Sequence, residues 1–135
     1  MAEDGAGISE YLNSHRVAVL ATSRKAGAPQ LTLIAYQYDS NDFAISVRGF
    51  SQKAKNLRRS PDASLAVVDG SQQLIVYGRV EIIEDEAEVL RLNQERMRQI
   101  STRNETDDEL KQRLLDEQRV ILLLKPERYY PPSLS

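Results

Sequence analysis

The apolar residues of this chain pass from a strand period to a helical one near residue 49 and again near residue 85, and those two points limit what it can fold into. Residues 43–48 set Phe43, Ile45 and Val47 against Ala44, Ser46 and Arg48, the two-residue period of a strand. Gly49 then lets the backbone turn, and Ser51 is a favoured N-cap, so residues 51–61 are predicted as a helix stopped by Pro61. Two earlier runs, residues 17–21 and 30–38, read as strands joined through a turn at Gly27 and Pro29, and residues 39–42 form a second turn. Residues 63–68 and 72–83 read as a hairpin closed by Asp69-Gly70. From Asp85 the period becomes helical, with Val89, Leu90, Leu92, Met97 and Ile100 among charges. Thr106 and Glu109 have capping-box spacing, which predicts a second helix over residues 107–118. Residues 120–124 form a continuous apolar strand expected to stop at Pro126, and Ile8, Tyr11 and Leu12 mark a short leading helix that ends near His15. The order of β-meander, helix, hairpin, helices and strand suits a small closed barrel with peripheral helices better than a parallel sheet.

A chain of 135 residues fits one domain, 1–135, and such a domain buries roughly two-thirds of the surface its unfolded form exposes. Residues 1–7, small and acidic, are expected to be a frayed terminus. With 18 Lys+Arg against 20 Asp+Glu the net charge is −2, which argues against nucleic acid as partner. Cysteine is absent, which removes thiol nucleophiles and thiolate metal sites, and His15 is the one imidazole, too few for a histidine-rich metal site. No run approaches the roughly 18 apolar residues of a membrane span, and no signal pattern opens the chain, so the expectation is a cytoplasmic protein.

The helix over residues 51–61 places Lys53, Lys55, Arg58 and Arg59 within seven positions. Exposed N–H groups and a partial positive charge at its start meet Lys53 in the first turn, an arrangement that binds phosphate. A solvated basic helix with Ala54 and Leu57 on the core is the competing reading. His15 is read as a capping or packing residue. The acidic run Glu81, Glu84, Asp85, Glu86 and Glu88 is read as structural, facing a helix N-terminus. Gly78, in mid-strand, implies a bulge or a planar ligand close to the backbone. Tyr129-Tyr130-Pro131-Pro132 reads as an extended tail, either a strap over the barrel or a pocket wall.

Taken in order, Val19-Leu20-Ala21-Thr22, the Gly27-Ala28-Pro29 turn, the segment from Ser51 to Pro61, Val76-Tyr77-Gly78-Arg79-Val80-Glu81 and the closing Lys125-Pro126-Glu127-Arg128-Tyr129-Tyr130 resemble a known family. It is that of the pyridoxamine-phosphate-oxidase-like split β-barrel flavoproteins, and within them the branch that uses the deazaflavin coenzyme F-420. The resemblance implies an FMN-binding-like split barrel and a homodimer with its cofactor at the subunit interface. In the oxidases a Ser-Arg-Lys-Ala segment binds the flavin phosphate, and the matching segment here is Ser51-Gln52-Lys53-Ala54, which implies Lys53 on the phosphate with Ser51 and Gln52 on the same group through backbone or side-chain donors. Gln52 departs from the pattern, and the lost arginine removes a fixed charge that flavin mononucleotide (FMN) would need. The resemblance places Gln30 and Thr32 along the ring edge, Ser46, Val47 and Arg48 beside the ribityl chain, and Gln73, five before Gly78, as a residue reaching in from the neighbouring subunit. Lys55 and Arg59 are expected to help hold an oligoglutamate tail, and Asn56 to fix the helix to the barrel. The oxidases recognise pyridoxamine phosphate through a C-terminal segment with tryptophan, which this sequence lacks, so that substrate is not expected.

The expectation is therefore an oxidoreductase that binds reduced coenzyme F-420 and passes a hydride to a small conjugated acceptor such as a quinone, a tetrapyrrole or an unsaturated ring. No side chain is expected to be catalytic, because the cofactor carries the reactivity while the protein orients the ring and excludes water. An FMN-dependent oxidoreductase of the same fold and a non-catalytic cofactor carrier are the alternatives.

Overall fold

A computed structural model describes residues 7–39, 41–100 and 104–134. Along the chain run α1 (Ile8–Asn13), β1 (Val17–Thr22), β2 (Gln30–Ala35), β3 (Gln37–Asp39), β4 (Asp42–Arg48), α2 (Gln52–Arg59), β5 (Asp62–Asp69), β6 (Gln72–Ile83), α3 (Glu86–Ile100), α4 (Asp107–Asp116) and β7 (Arg119–Tyr130). The expectation for residues 1–7 lies, Gly7 apart, outside the described residues.

All strands join one seven-stranded antiparallel sheet in the order β2-β1-β5-β6-β7-β4-β3. β2 and β3 are its opposite edges, yet Tyr36 alone separates them in sequence. A sheet rolled on itself permits this, and a flat one does not, so the fold is the expected mainly β split barrel with peripheral helices.

Tyr36 also corrects the sequence reading, which ran one strand through residues 30–38. Its side chain is buried, its N–H donates to the Arg16 carbonyl at 2.9 Å and its hydroxyl to the Leu12 carbonyl at 2.8 Å. There the chain leaves its pairing with β1 and joins β4 instead.

A second correction concerns the end of the chain. β7 does not stop at Pro126 but continues to Tyr130, pairing Tyr129 with Val76 and Tyr130 with Ile75. The register shifts between Tyr77 and Gly78, and a bulge is where a strand tolerates proline. Gly78 faces this bulge so closely that a Cβ there would overlap the Lys125 carbonyl oxygen, which explains the mid-strand glycine by backbone approach. Tyr129 is buried in the barrel core as part of β7 rather than laid over the barrel as a strap, whereas Tyr130 stays exposed.

The inward residues of the strands, among them Leu20, Phe43, Ile45, Leu65, Leu74, Val76, Leu122 and Leu124, form the main core with α1 and with Ala54 and Leu57 of α2. A smaller cluster of Val89, Leu110, Leu114 and Ile121 seats α3 and α4 on the outside of the sheet. The Thr106 box is present: its Oγ1 accepts from Glu109 N–H and its own N–H donates to Glu109 Oε1, both at 3.1 Å. α4 ends at Asp116 rather than 118, and Gln118 takes φ 52° as the chain turns into β7. Asp85 Oδ2 accepts from the Glu88 N–H at 3.0 Å, the structural role expected of the acidic run. Among the described residues no helix is long and apolar enough to cross a membrane.

Candidate functional site

α2 begins where the sequence places it. Ser51 is extended (φ −66°, ψ 155°), its N–H donates to the Arg48 carbonyl at 3.0 Å, and its Oγ accepts from Ala54 N–H at 3.4 Å. The N–H groups of Gln52 and Lys53 precede the helix's own hydrogen-bond ladder, so this end carries partial positive charge. Gly49 allows the tight approach before it, since a Cβ there would lie 2.8 Å from the Gln118 carbonyl oxygen.

Opposite this helix start is a cleft of about 520 Å³ between β2 and β4, lined by Leu33, Ile34, Ala35, Ser46, Val47, Arg48, Phe50, Ser51, Lys53, Arg96 and Arg119. Lys53 is half-buried there, not fully exposed as a first-turn lysine would be. Burial first, then the charges of Arg119 and Arg48, pull its ammonium below the ordinary lysine range. A like-charged, partly desolvated cluster of this kind is relieved by an anion. A phosphate is one anion of suitable charge.

The cluster has its own frame. Arg119 donates from Nε to Glu117 Oε1 at 2.8 Å and from Nη1 to the Ser46 carbonyl at 3.1 Å. Glu117 also meets Arg113 Nη1 at 3.5 Å and Arg48 Nη2 at 3.7 Å, and the hydrogen bond from Arg119 leads the effects that hold its carboxyl below the usual range.

On its other flank α2 is pinned by Asn56, which is fully buried. Asn56 Nδ2 donates to Thr22 Oγ1 at 3.1 Å and to Gln30 Oε1 at 3.0 Å, while Gln52 Nε2 donates to Asn56 Oδ1 at 2.9 Å. Gln30 Nε2 reaches Thr32 Oγ1 at 3.4 Å. This is the helix-to-barrel attachment expected of Asn56.

Of the residues singled out in the sequence, Ser46, Val47, Arg48, Ser51 and Lys53 thus line one cleft, and Gln30, Thr32 and Gln52 join one hydrogen-bonded chain beside it. Lys55 lies elsewhere, in a second groove with Arg58, Glu84 and Leu115, and Arg59 Nη2 donates to the Ser23 carbonyl at 2.5 Å. Gln73 stands exposed on β6 opposite Val68, outside the cleft of its own chain. Sequence reasoning missed Arg96, Arg119 and Glu117. Nothing local marks them, because Arg96 and Arg119 reach the cleft from α3 and β7, and Glu117 holds Arg119 from the α4–β7 corner. His15 has a partner far away in sequence: its Nε2 lies 3.0 Å from Asp69 Oδ2 and its Nδ1 2.7 Å from the Tyr11 carbonyl oxygen. Among the described residues no cluster of His, Asp or Glu could hold a metal ion.

The structure is thus a split β-barrel with cations gathered at the start of one helix. The chain belongs to the pyridoxamine 5'-phosphate oxidase family, whose pattern matches residues 6–131. Among solved structures it resembles a conserved hypothetical protein of Mycobacterium tuberculosis at 26% identity and a TM-score of 0.76, covering 90% of this chain and 79% of that one. It also resembles an F-420 reductase at 28% identity and a TM-score of 0.61, over 84% of this chain and 88% of that one. An FAD-binding protein from Mesorhizobium loti, 19% identical with a TM-score of 0.62 over 90% of this chain and 86% of that one, shares the fold.

Proposed function

We propose that the chain is an oxidoreductase that binds reduced coenzyme F-420 and serves hydride transfer to a small conjugated acceptor. The observation that carries this reading is the cleft in which Lys53, Arg48, Arg96 and Arg119 converge on the start of α2. Lys53 and the first-turn N–H groups would hold the phosphate, Arg48 and Arg119 would add charge along the anionic tail, and Gln30 and Thr32 would meet the ring edge. When bound, the deazaflavin supplies a hydride at a ring carbon and reacts poorly with oxygen. The residues of the chain orient the ring and keep water from it, while the cofactor carries the reactivity. The identity to an F-420 reductase supports this cofactor over FMN, and Gln52 in place of an arginine weakens the case for FMN.

A homodimer is part of the proposal. Cross-strand pairing puts Val17, Val19 and Ala21 of β1 beside Ala35, Leu33 and Leu31 of β2 on the outward face, where Leu31 is 67% and Leu33 70% exposed. An apolar edge of this kind calls for a cover, and a second copy would bring its own outward residues, Gln73 among them, toward the cleft that Leu33 lines.

The test is a fluorescence titration of purified protein with coenzyme F-420 and, separately, with FMN. Tight binding of the deazaflavin, followed by oxidation of its reduced form on adding a quinone, supports the reading. Tight binding of FMN alone, with rapid peroxide formation, replaces the cofactor. Tight deazaflavin binding without turnover of any acceptor makes the chain a carrier.

A further inference from the structure

We propose that Glu117 is the counter-charge of the cofactor cleft: it divides one carboxylate between Arg119 and Arg48, lowers the cleft's affinity for a phosphate group and so keeps the bound cofactor exchangeable. The inference rests on the flavin or deazaflavin reading above for the cofactor, while its charge argument holds for any phosphate in the cleft.

The charges pair off one by one. Arg48, Lys53 and Arg119 line the cleft. Among the described residues Glu117 is the one carboxylate within ion-pair distance of either arginine, through Oε1 to Arg119 Nε at 2.8 Å and through Oε2 to Arg48 Nη2 at 3.7 Å. Arg113 also reaches Glu117, at 3.5 Å, but it brings its own partner: its Nε and Nη2 donate to the two oxygens of Glu105 at 2.9 and 3.1 Å. That bidentate pair is neutral as a whole, so the charge of Glu117 is left to face the two arginines of the cleft. Three lining cations thus share one carboxylate.

The two arginines are held unequally. Arg119 is fixed by two hydrogen bonds, from Nε to Glu117 and from Nη1 to the Ser46 carbonyl, and neither uses Nη2. Arg48 is more than half exposed and meets Glu117 only across the long contact, the kind of pair that holds a side chain weakly. A phosphate entering the cleft can therefore draw Arg48 away from Glu117, while Arg119 stays in place and offers Nη2. It does so against a carboxylate already present, which repels it. In the empty cleft the same carboxylate relieves repulsion among the cations, so Glu117 favours stability of the free protein over affinity. A deazaflavin that has given up its hydride must leave or be reduced again before the next turnover, and a cleft with its full positive charge would hold it longer.

Glu117→Gln removes the charge, keeps an oxygen for Arg119 Nε and turns a donor toward Arg48. Expected for this variant are a lower melting temperature without ligand and an affinity for pyrophosphate about three- to tenfold above wild type at low salt. The gain should vanish toward 1 M salt, where the screening length falls to about 3 Å. Coenzyme F-420, or FMN if that is the cofactor bound, should dissociate more slowly by a similar factor in stopped-flow displacement. Glu117→Asp, which restores the charge, should bring affinity and melting temperature back toward wild type. A residue that only braces the corner would leave the affinity of Glu117→Gln equal or lower, and either result in a folded variant overturns the inference. Glu117→Ser, at an ordinary helical backbone position (φ −85°, ψ −4°), carries the same expectation, and failure of both variants to fold also overturns it. A wild-type protein that binds pyrophosphate but neither cofactor overturns the functional reading and leaves the pyrophosphate comparison to decide the role of Glu117. A wild type that binds none of the three overturns both.

Discussion

Lys53 carries the sharpest consequence at the scale of one residue. A charge-assisted hydrogen bond to the cofactor phosphate contributes about 1.5–3 kcal/mol, so Lys53→Ala should lower cofactor affinity roughly ten- to a hundredfold. Its effect on the free protein should be small or opposite. The depressed pKa means that its charge costs stability at neutral pH, and that cost fades as the pH rises through the depressed value toward that of an unfolded lysine. Thermal melts should therefore show apo Lys53→Ala at least as stable as wild type at pH 7, with a smaller gain on adding pyrophosphate. Arg59→Ala should instead act on stability, because its guanidinium holds the Ser23 carbonyl. His15 gives a second test. Its Nδ1 faces the Tyr11 carbonyl and its Nε2 the Asp69 carboxylate, two acceptors that favour the imidazolium, and the hydrogen bond to Tyr11 leads the effects that raise its pKa. A raised folded pKa adds stability that is complete below about 6.5 and is lost as the pH rises through the folded value. Asp69 is exposed, so the amount is under about 1 kcal/mol, and Asp69→Asn should flatten the fall in melting temperature between pH 6 and 8.

Elements closed by neighbours in sequence were legible, and those closed by distant partners were not. Ser51 and the Thr106–Glu109 box start their helices through contacts within one turn, so the residues alone announce them. The split of residues 30–38 at Tyr36 and the run of β7 through Pro126 depend on which strand lies opposite, which no local pattern records. Gly78 lies between these cases: its oddity was visible, its cause was the Lys125 carbonyl. Gly78→Ala should destabilise by about 1–3 kcal/mol, as overpacking against backbone does. Gly70→Asn, at φ 59° with nothing within 4 Å, should change the urea midpoint little, because asparagine tolerates that conformation.

For the whole molecule the prediction is assembly. Light scattering at low micromolar concentration should give about twice the chain mass, and Leu33→Glu, which puts a charge at the centre of the outward β1–β2 face, should give a monomer that retains its fold. Gln73→Ala should keep the dimer and weaken cofactor binding if that side chain reaches the partner's cleft. A monomeric wild type that binds cofactor with full affinity would remove the dimer from the proposal.

The sequence by itself determined the classes of element, the mainly β character, the start of α2 and its basic charge, because these follow from periodicity and from contacts a few residues long. It marked Lys53, Arg48, Ser46 and Ser51, which the fold brings into one cleft. Only the tertiary structure decided that Arg96 and Arg119 join them, that Lys55 and Arg59 do not line that cleft, and that one buried asparagine joins three polar side chains into one hydrogen-bonded chain. The reason is physical: a side chain's charge is written in its type, but the field it feels and the atoms it must satisfy belong to neighbours that only rolling the sheet brings within reach.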